Sequence, residues 1–381
     1  MLEAQVYFWQ KIVTPHMANL AEALAATGKE VIYVANESMS TDRQQMGWAA
    51  PVLNHAKLLT AADAQSVAEI ARAAPAQSIH LCQGLRGNGL VSIAQQVLAK
   101  REVRQWTFME TIDDAGPLGE IKRLHYRWLL LRRKQALQGI LAIGWETPGW
   151  LRARGVEQNT IFPFAYFLLD ALAQVSRMRV AGAPFRFLFV GQLIECKRVD
   201  RLLQSLAAHV AHDFELVVVG DGPKRSEWEA MGHTLLPNRV RWLGRLPMDE
   251  IPQKMANADC LVLPSRHDGW GAVVSEALMV GTPVICSDAC GSAGVVRASG
   301  VGGVFPKDNV GALSSLAEAM LAKGVLLDAD RQELKGWASG LGAAAGARYL
   351  AEILEFSDSQ AVRPMPPWGN GNKVQNQWPV T

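Results

Sequence analysis

The sequence predicts an α/β protein built from two doubly wound, Rossmann-like domains. Three observations carry that expectation. The chain has 381 residues, more than one ordinary hydrophobic core holds. Short apolar runs alternate with amphipathic segments along most of its length. The alternation comes in two series, separated by a stretch near residues 165–183 that ends in Gly182 and Pro184.

The first series opens with "AQVYFW" (4–9) as a strand, "PHMANLAEALAATG" (15–28) as a helix stopped by Gly28, and "EVIYVA" (30–35) as the next strand. Further strands are expected at "SIHLCQ" (78–83), "VRQWTFM" (103–109), "GILAIG" (139–144) and the strand-like "NTIFPF". The second series has strands at "FRFLFVG" (185–191), "FELVVVG" (214–220), "RVRWLG" (239–244), "CLVLPS" (260–265) and "TPVICS" (282–287). These runs are continuous rather than alternating, as parallel strands covered on both faces are. The domains are therefore placed at 1–168 and 169–356, the latter closed by a helix at 346–356. An irregular tail at 357–381, rich in Pro, Gly and polar residues, is expected to be anchored on the first domain by Trp368 or Trp378.

Hydrophobic residues make up 49% and charged residues 19%, which supports a large core and argues against disorder. A formal net charge of +2 lacks the basic footprint of a nucleic-acid binder. The five cysteines are scattered, with no cluster to hold a metal, and read as reduced thiols of a cytoplasmic protein. The N-terminus lacks the pattern of a signal peptide, and no apolar run reaches the roughly 18 residues of a membrane span.

Three loops at strand ends in the second series carry the chemistry. In "VGQLIECKRVDRLL" (190–203), Gly191 ends a strand, and Lys197 and Arg198 precede a helix. A cationic pair there suits a diphosphate; a solvated loop is the alternative. In "VVVGDGPKRSEW" (217–228), Gly220 and Gly222 follow a strand, but the third glycine of a dinucleotide fingerprint is missing. In "CLVLPSRHDGWGAVVSEALMVG" (260–281), Asp268 lies in a loop and Glu276 in the helix that follows. Gly269 and Gly271 allow close backbone approach and outward-pointing amides, beside a helix N-terminus. Donors for an anion and two carboxylates for hydroxyl groups suit a ligand with both phosphates and hydroxyls, which means a sugar nucleotide. Asp268 as a cap and Glu276 as a solvated residue form the alternative for either acid alone.

In this order the motifs resemble the family 4 glycosyltransferases of the GT-B fold, strongly over 185–300 and with Gly291 in place. The resemblance implies two Rossmann-like domains facing a cleft and a retaining transfer from a UDP- or GDP-sugar, with no metal or other cofactor. It implies a saccharide or lipid-linked acceptor, and a place in bacterial surface polysaccharide or lipopolysaccharide assembly at the inner face of the cytoplasmic membrane. Lys197 matches the family lysine that neutralises the diphosphate. Asp268 is expected at the donor sugar, Glu276 at the ribose, and Gly269, Trp270 and Gly271 at the sugar or diphosphate through backbone amides. Trp242 and Leu243 lie in the segment Val240 to Arg245 expected against the base.

The chain departs from the family pattern at three places. Asp268 stands for the usual Glu, and its carboxylate reaches about 1.5 Å less far. Gln192 stands for a frequent Arg and offers no charge, leaving Lys197 and Arg198 to neutralise the diphosphate. The family's N-domain His is absent from "WTFMETIDDAG", which carries Glu110, Asp113 and Asp114. Glu110 is the candidate to orient an acceptor hydroxyl or stabilise a positive sugar ring, with a structural carboxylate as the alternative. His80 and His16 are candidates on the acceptor side, where a lone His is also often structural. The departures leave open a non-catalytic GT-B partner subunit; a dehydrogenase is disfavoured by the failed glycine fingerprint. Finally, "KRLHYRWLLLRRKQAL" (122–137) has six Lys or Arg and no acid. It reads either as a basic helix for peripheral membrane contact or as a helix packed on its domain with a charged outer face.

Overall fold

A computed structural model describes residues 4–39, 51–112, 114, 116–180, 182–359 and 362–369. It divides into two compact units, the first running to Leu169 and taking in Gly342–Pro367, the second spanning Asp170–Leu341 with Trp368. Each is a parallel sheet with helical crossovers.

The first sheet has seven strands: β1 Val6–Ile12, β2 Val31–Glu37, β3 Lys57–Thr60, β4 Ile79–Gln83, β5 Gln105–Glu110, β6 Leu137–Ile143 and β7 Ile161–Phe164. Their spatial order is β3-β2-β1-β4-β5-β6-β7. The described helices of this unit are α1 Pro15–Ala25, α2 Ala64–Ala73, α3 Val91–Lys100, α4 Gly119–Arg133, α5 Thr147–Arg152 and α13 Ala343–Ser359. The helix α2 starts at Asp63, whose carboxylate accepts from the Ser66 amide at 2.7 Å in a capping box. One core cluster joins Trp9, Ile32, Val34, Val67 and Leu98. Another joins Met109, Tyr126, Leu130, Ile140 and Leu151 under α4 and α5. The strand β3, unforeseen in the sequence, lies at the sheet edge and is largely exposed, so no buried apolar run announces it.

The second sheet has six strands: β8 Phe185–Val190, β9 Phe214–Val219, β10 Val240–Gly244, β11 Cys260–Leu263, β12 Val284–Ser287 and β13 Gly302–Phe305. Their order is β10-β9-β8-β11-β12-β13. Its helices are α6 Val199–Ala207, α7 Arg225–Leu235, α8 Ile251–Ala256, α9 Ala272–Met279, α10 Ala293–Ser299, α11 Val310–Lys323 and α12 Asp328–Ala338. Every residue of β11 and β12 is buried, which explains their uninterrupted apolar runs; each Val, Leu or Ile so covered contributes roughly 1.5–3 kcal/mol. The incoming chain is fastened by Asp259, whose wholly buried carboxylate pairs with Arg177 and with Arg179 at 2.5 Å and accepts from the Arg186 amide at 2.8 Å.

One boundary needs correction. The helix expected to close the second domain, 346–356, is α13, and it belongs to the first unit. Its apolar side fits there. Tyr349 donates to the Pro163 carbonyl at 2.9 Å and stacks on Phe164 at 5.9 Å. Gly346 lies so close to Phe167 that an added Cβ would fall 2.3 Å from the ring. The helix also continues to Ser359, three residues into the expected tail. Beyond it, Arg363 donates to the Asn159 carbonyl at 3.2 Å and to that of Ile161, with its guanidinium over Phe162. Trp368 is buried in the second unit, 6.3 Å from Trp270. Trp378, the other expected anchor, lies outside the described residues.

Candidate functional site

In both sheets the strand order reverses once, between β1 and β4 in the first unit and between β8 and β11 in the second. Ligands of open α/β sheets bind outside the carboxyl ends of the strands at such a point. In the second unit, the loops after β8 and β11 flank the reversal. They carry Lys197 and Asp268.

Glycines let these loops pack backbone against backbone. Gly220 has φ +137°, and a Cβ there would fall 1.8 Å from the Gly191 carbonyl oxygen. A Cβ at Gly291 would fall 1.9 Å from that of Gly269. Two hydrogen bonds lock the latter contact: the Asp268 amide donates to the Ala289 carbonyl at 3.1 Å, and the Gly291 amide to the Asp268 carbonyl at 2.9 Å. The loop then turns through Gly271, at φ +79°, into α9. The Trp270 side chain is not part of the open surface. It is buried, and its indole N–H donates to Ser275 Oγ at 3.1 Å, which fixes the backbone around it. The amides of Gly269, Trp270 and Gly271 find no acceptor among the described residues. They precede a helix N-terminus, where partial positive charge collects.

The two charged residues expected to meet the donor meet each other. Lys197 Nζ lies 2.5 Å from Asp268 Oδ2, with the side chains 19% and 16% exposed. A further bond ties the two loops, from the Arg266 amide to the Cys196 carbonyl at 2.7 Å, while the Arg266 guanidinium pairs with Asp308 at 3.0 Å. Sequence reasoning missed this tie, because nothing in the local spacing of Arg266 points to Asp308.

Glu276 differs from both. It keeps part of its surface accessible, yet protein surrounds it so closely that desolvation pushes its carboxyl up to about 7. Its side chain makes no hydrogen bond or ion pair among the described residues. An ionisable group held in that state is well placed to accept hydroxyl donors from a ligand. Ser292 was also missed: its hydroxyl is buried without a hydrogen-bond partner, 3.3 Å from where a Gly271 Cβ would stand.

Arg198 does not stand with Lys197 as a second cation for a diphosphate. It is buried, and its guanidinium is held by Asp200 at 2.8 Å and Glu195 at 3.2 Å. Its backbone is left-handed, at φ 53°. Gln192 is exposed at the strand end. Trp242 is partly buried, with its ring against Gly232 of α7, 3.3 Å from where a Cβ would stand. Trp242 and Leu243 lie on the edge strand β10.

In the first unit, His80 is a structural residue, not a site residue. It is fully buried; Trp9 Nε1 donates to its Nδ1 at 2.8 Å, and its Nε2 lies 2.8 Å from Ser78 Oγ. Both ring nitrogens are thus used, and desolvation lowers its pKa to about 3. His16 stacks on Tyr166, ring centroids 5.2 Å apart. Glu110 ends β5, partly buried, with the next amide, Thr111, donating to Thr147 Oγ1 at 3.2 Å. Asp114 accepts from Arg154 at 2.7 Å and from the Trp150 indole at 3.1 Å, a structural carboxylate. Asp113 lies outside the described residues. No group of three or more His, Cys, Asp or Glu that could hold a metal occurs among the described residues, and the described cysteines are free thiols.

Residues 177–335 match the family Glycosyl transferases group 1, so the second unit carries a domain of that family. The whole chain has the fold of GT-B glycosyltransferases. The lipopolysaccharide outer core galactosyltransferase WaaB, in its apo form, superposes with a TM-score of 0.69 at 16% identity, over 92% of this chain and 99% of that one. Anabaena Alr3699/HepE, in complex with UDP, gives 0.68 at 15%, with the same coverage. Among curated sequences, the chain is 40% identical over 99 residues to the 2-deoxystreptamine glucosyltransferase of Streptomyces kanamyceticus, covering 25% of this chain and 26% of that one. It is 33% identical over 103 residues to the putative teichuronic acid biosynthesis glycosyltransferase TuaC of Bacillus subtilis, covering 27% and 24%. The chain thus matches about a quarter of the length of these relatives.

Proposed function

We propose that this protein is a retaining glycosyltransferase of family 4 that moves a hexosyl group from a nucleotide diphosphate sugar to a saccharide or lipid-linked acceptor. The observation that carries the reading is the arrangement at the second sheet's reversal. One lysine, with three amides and one carboxyl that find no partner among the described residues, lies where a diphosphate and a ribose are needed together. UDP, present in the Alr3699/HepE complex, is the first nucleotide to test. Relatives in lipopolysaccharide and teichuronic acid assembly favour surface polysaccharide synthesis.

The chemistry asks little covalent work of the protein. The acceptor hydroxyl attacks the anomeric carbon from the face the diphosphate leaves. The carbon–oxygen bond to phosphate breaks, its electron pair stays on the diphosphate, and the hydroxyl proton passes to a departing phosphate oxygen. Lys197 and the amides of Gly269 to Gly271 stabilise the charge that develops there. In the free protein Asp268 holds Lys197 in place; with donor bound, the same carboxylate faces the sugar hydroxyls. Glu276 accepts from the ribose diol once ionised. Glu110 and His16 are the first unit's candidates for acceptor contacts.

A panel of UDP- and GDP-sugars, read by thermal unfolding and then by transfer to mono- and oligosaccharide acceptors, tests the reading. Stabilisation by one nucleotide sugar, with the released sugar or product keeping the donor's anomeric configuration, is the expected result. No stabilisation by any nucleotide or nucleotide sugar would overturn it.

A further inference from the structure

We propose that Trp368 is a positioning residue for the donor loop Asp268–Gly271. Its ring, packed on Trp270, holds the amides of Gly269 to Gly271 where a donor's diphosphate meets them. The inference rests on the proposed donor site and names a distant residue that keeps that site in shape.

The loop is not rigid by its own chemistry. Glycine stands on both sides of Trp270, and Gly271 sits at φ +79°, so the local backbone has wide conformational freedom. The amides of Gly269, Trp270 and Gly271 find no acceptor among the described residues, so no hydrogen bond of their own sets their direction. The rest of each planar peptide sets it instead. On one side, the Trp270 carbonyl accepts from the Ser292 amide at 2.8 Å and the Asp268 carbonyl from the Gly291 amide at 2.9 Å. On the other stands the Trp270 side chain, tied at its edge by the bond from its indole N–H to Ser275 Oγ.

An edge bond leaves the face of the ring unsupported, and Trp368 supplies a neighbour there. The two ring centroids lie 6.3 Å apart with planes at 57°, a tilted arrangement that aromatic pairs favour. Both side chains are buried, Trp368 completely. Trp368 comes from the far end of the chain, in a single 3₁₀ turn, Pro367–Gly369. That turn joins no strand of the second sheet, yet its ring goes to the tryptophan of the donor loop. Pro364, Pro366 and Pro367 lead into it, each with its φ fixed by the ring, so stiff chain delivers the side chain. Shrinking Trp368 leaves a space beside Trp270. Trp270 then tips into it, the peptides on either side rotate, and the amides no longer converge.

The test compares the full-length wild type with Trp368→Leu and Trp368→Phe. Amide hydrogen exchange is read at times short enough to sample local opening. The amides of Asp268, Gly291 and Ser292, whose bonds fasten the loop, should exchange about tenfold faster in Trp368→Leu, while those of α6 and β9 keep wild-type rates. Trp368→Phe, which keeps a ring, should show about a threefold effect at the same amides, and carries the comparison alone should Trp368→Leu not fold. In calorimetric titration Trp368→Leu should bind UDP about tenfold more weakly, the loss of one hydrogen bond to a charged group, and UMP as wild type does. Trp368→Phe should recover most of the UDP affinity. GDP and GMP replace these probes where wild type prefers guanine nucleotides. If wild type binds no nucleotide, the proposed function falls, and the exchange result alone decides whether Trp368 holds the loop. Wild-type exchange at those three amides in both variants overturns the inference. So does acceleration spread evenly over the second unit, or equal loss of UDP and UMP affinity, either of which makes Trp368 an ordinary core residue.

Discussion

The two sheets reverse their strand order in the same way, yet the two reversals are built from different materials. In the first unit, the strands beside the reversal are filled with aromatic and apolar side chains, and the buried His80 is locked between Trp9 and Ser78. In the second, glycines end the strands, loops touch backbone to backbone, and an ion pair lies across the gap. Each region holds a titratable group shifted by desolvation, and the contrast between them is instructive. His80 is driven to its neutral form and has both nitrogens satisfied. Glu276 is driven toward its neutral form and has no side-chain partner among the described residues. Burial is common to both; unused hydrogen-bonding capacity is what distinguishes Glu276 from His80.

The largest effect that would sharpen this contrast is at Lys197. Lys197→Ala should lower kcat by about 10²–10³-fold, the loss typical of a removed charge stabiliser, while the unfolding temperature moves little. Steady-state kinetics with the identified donor reads this, and wild-type turnover would break the assignment. In the first unit the effect should appear in stability instead. His80→Ala opens a cavity and orphans the Trp9 indole N–H, so denaturant unfolding should show a loss of about 2–4 kcal/mol with donor affinity unchanged.

The third prediction concerns pH. With its folded pKa raised to about 7, Glu276 is mostly ionised at pH 8 and mostly protonated at pH 6. Donor affinity should therefore fall about tenfold between those values. Glu276→Gln should bind weakly at both, with this step gone from a calorimetric titration. The same shift acts on folding. A raised carboxyl favours the native state below its unfolded pKa, and that contribution is lost as pH rises through about 7. The unliganded Glu276→Gln protein should accordingly be more stable than wild type at pH 8, by on the order of 1–3 kcal/mol. The smallest expected effect is at Asp268. Asp268→Glu adds one methylene and should change the preference among donor sugars by a few-fold to tenfold in kcat/KM, measured across the same panel.

What was legible in the sequence follows from what is local. Buried parallel strands announce themselves, and β8, β9, β11 and β12 fall within two residues of where their apolar runs place them. The loops carrying Lys197 and Asp268, and the helix carrying Glu276, were legible as elements too, since glycines mark the strand ends that precede them. Pairings across long separations were not. The capture of Arg266 by Asp308 depends on a loop 42 residues away; that of Arg198 by Asp200 and Glu195 is close in sequence but forms at a left-handed residue, φ 53°. His80 looked like a candidate because its strand position is visible, whereas its pairing with Trp9, 71 residues earlier, is not. The helix α13 was placed in the wrong unit because its periodicity states which face is apolar, not which core receives it.

That helix has a consequence for how the protein is made. The first sheet is complete in the nascent chain by Phe164, but α13, which covers Phe164 and Phe167, is not finished until Ser359. At roughly 5–20 residues per second, translation of the intervening stretch takes about ten to forty seconds. Through that interval the first unit carries a bare aromatic patch while the second emerges as far as Leu341. Trp368, which packs in the second unit, emerges later still, so each domain completes its packing only after most of the other has been synthesised.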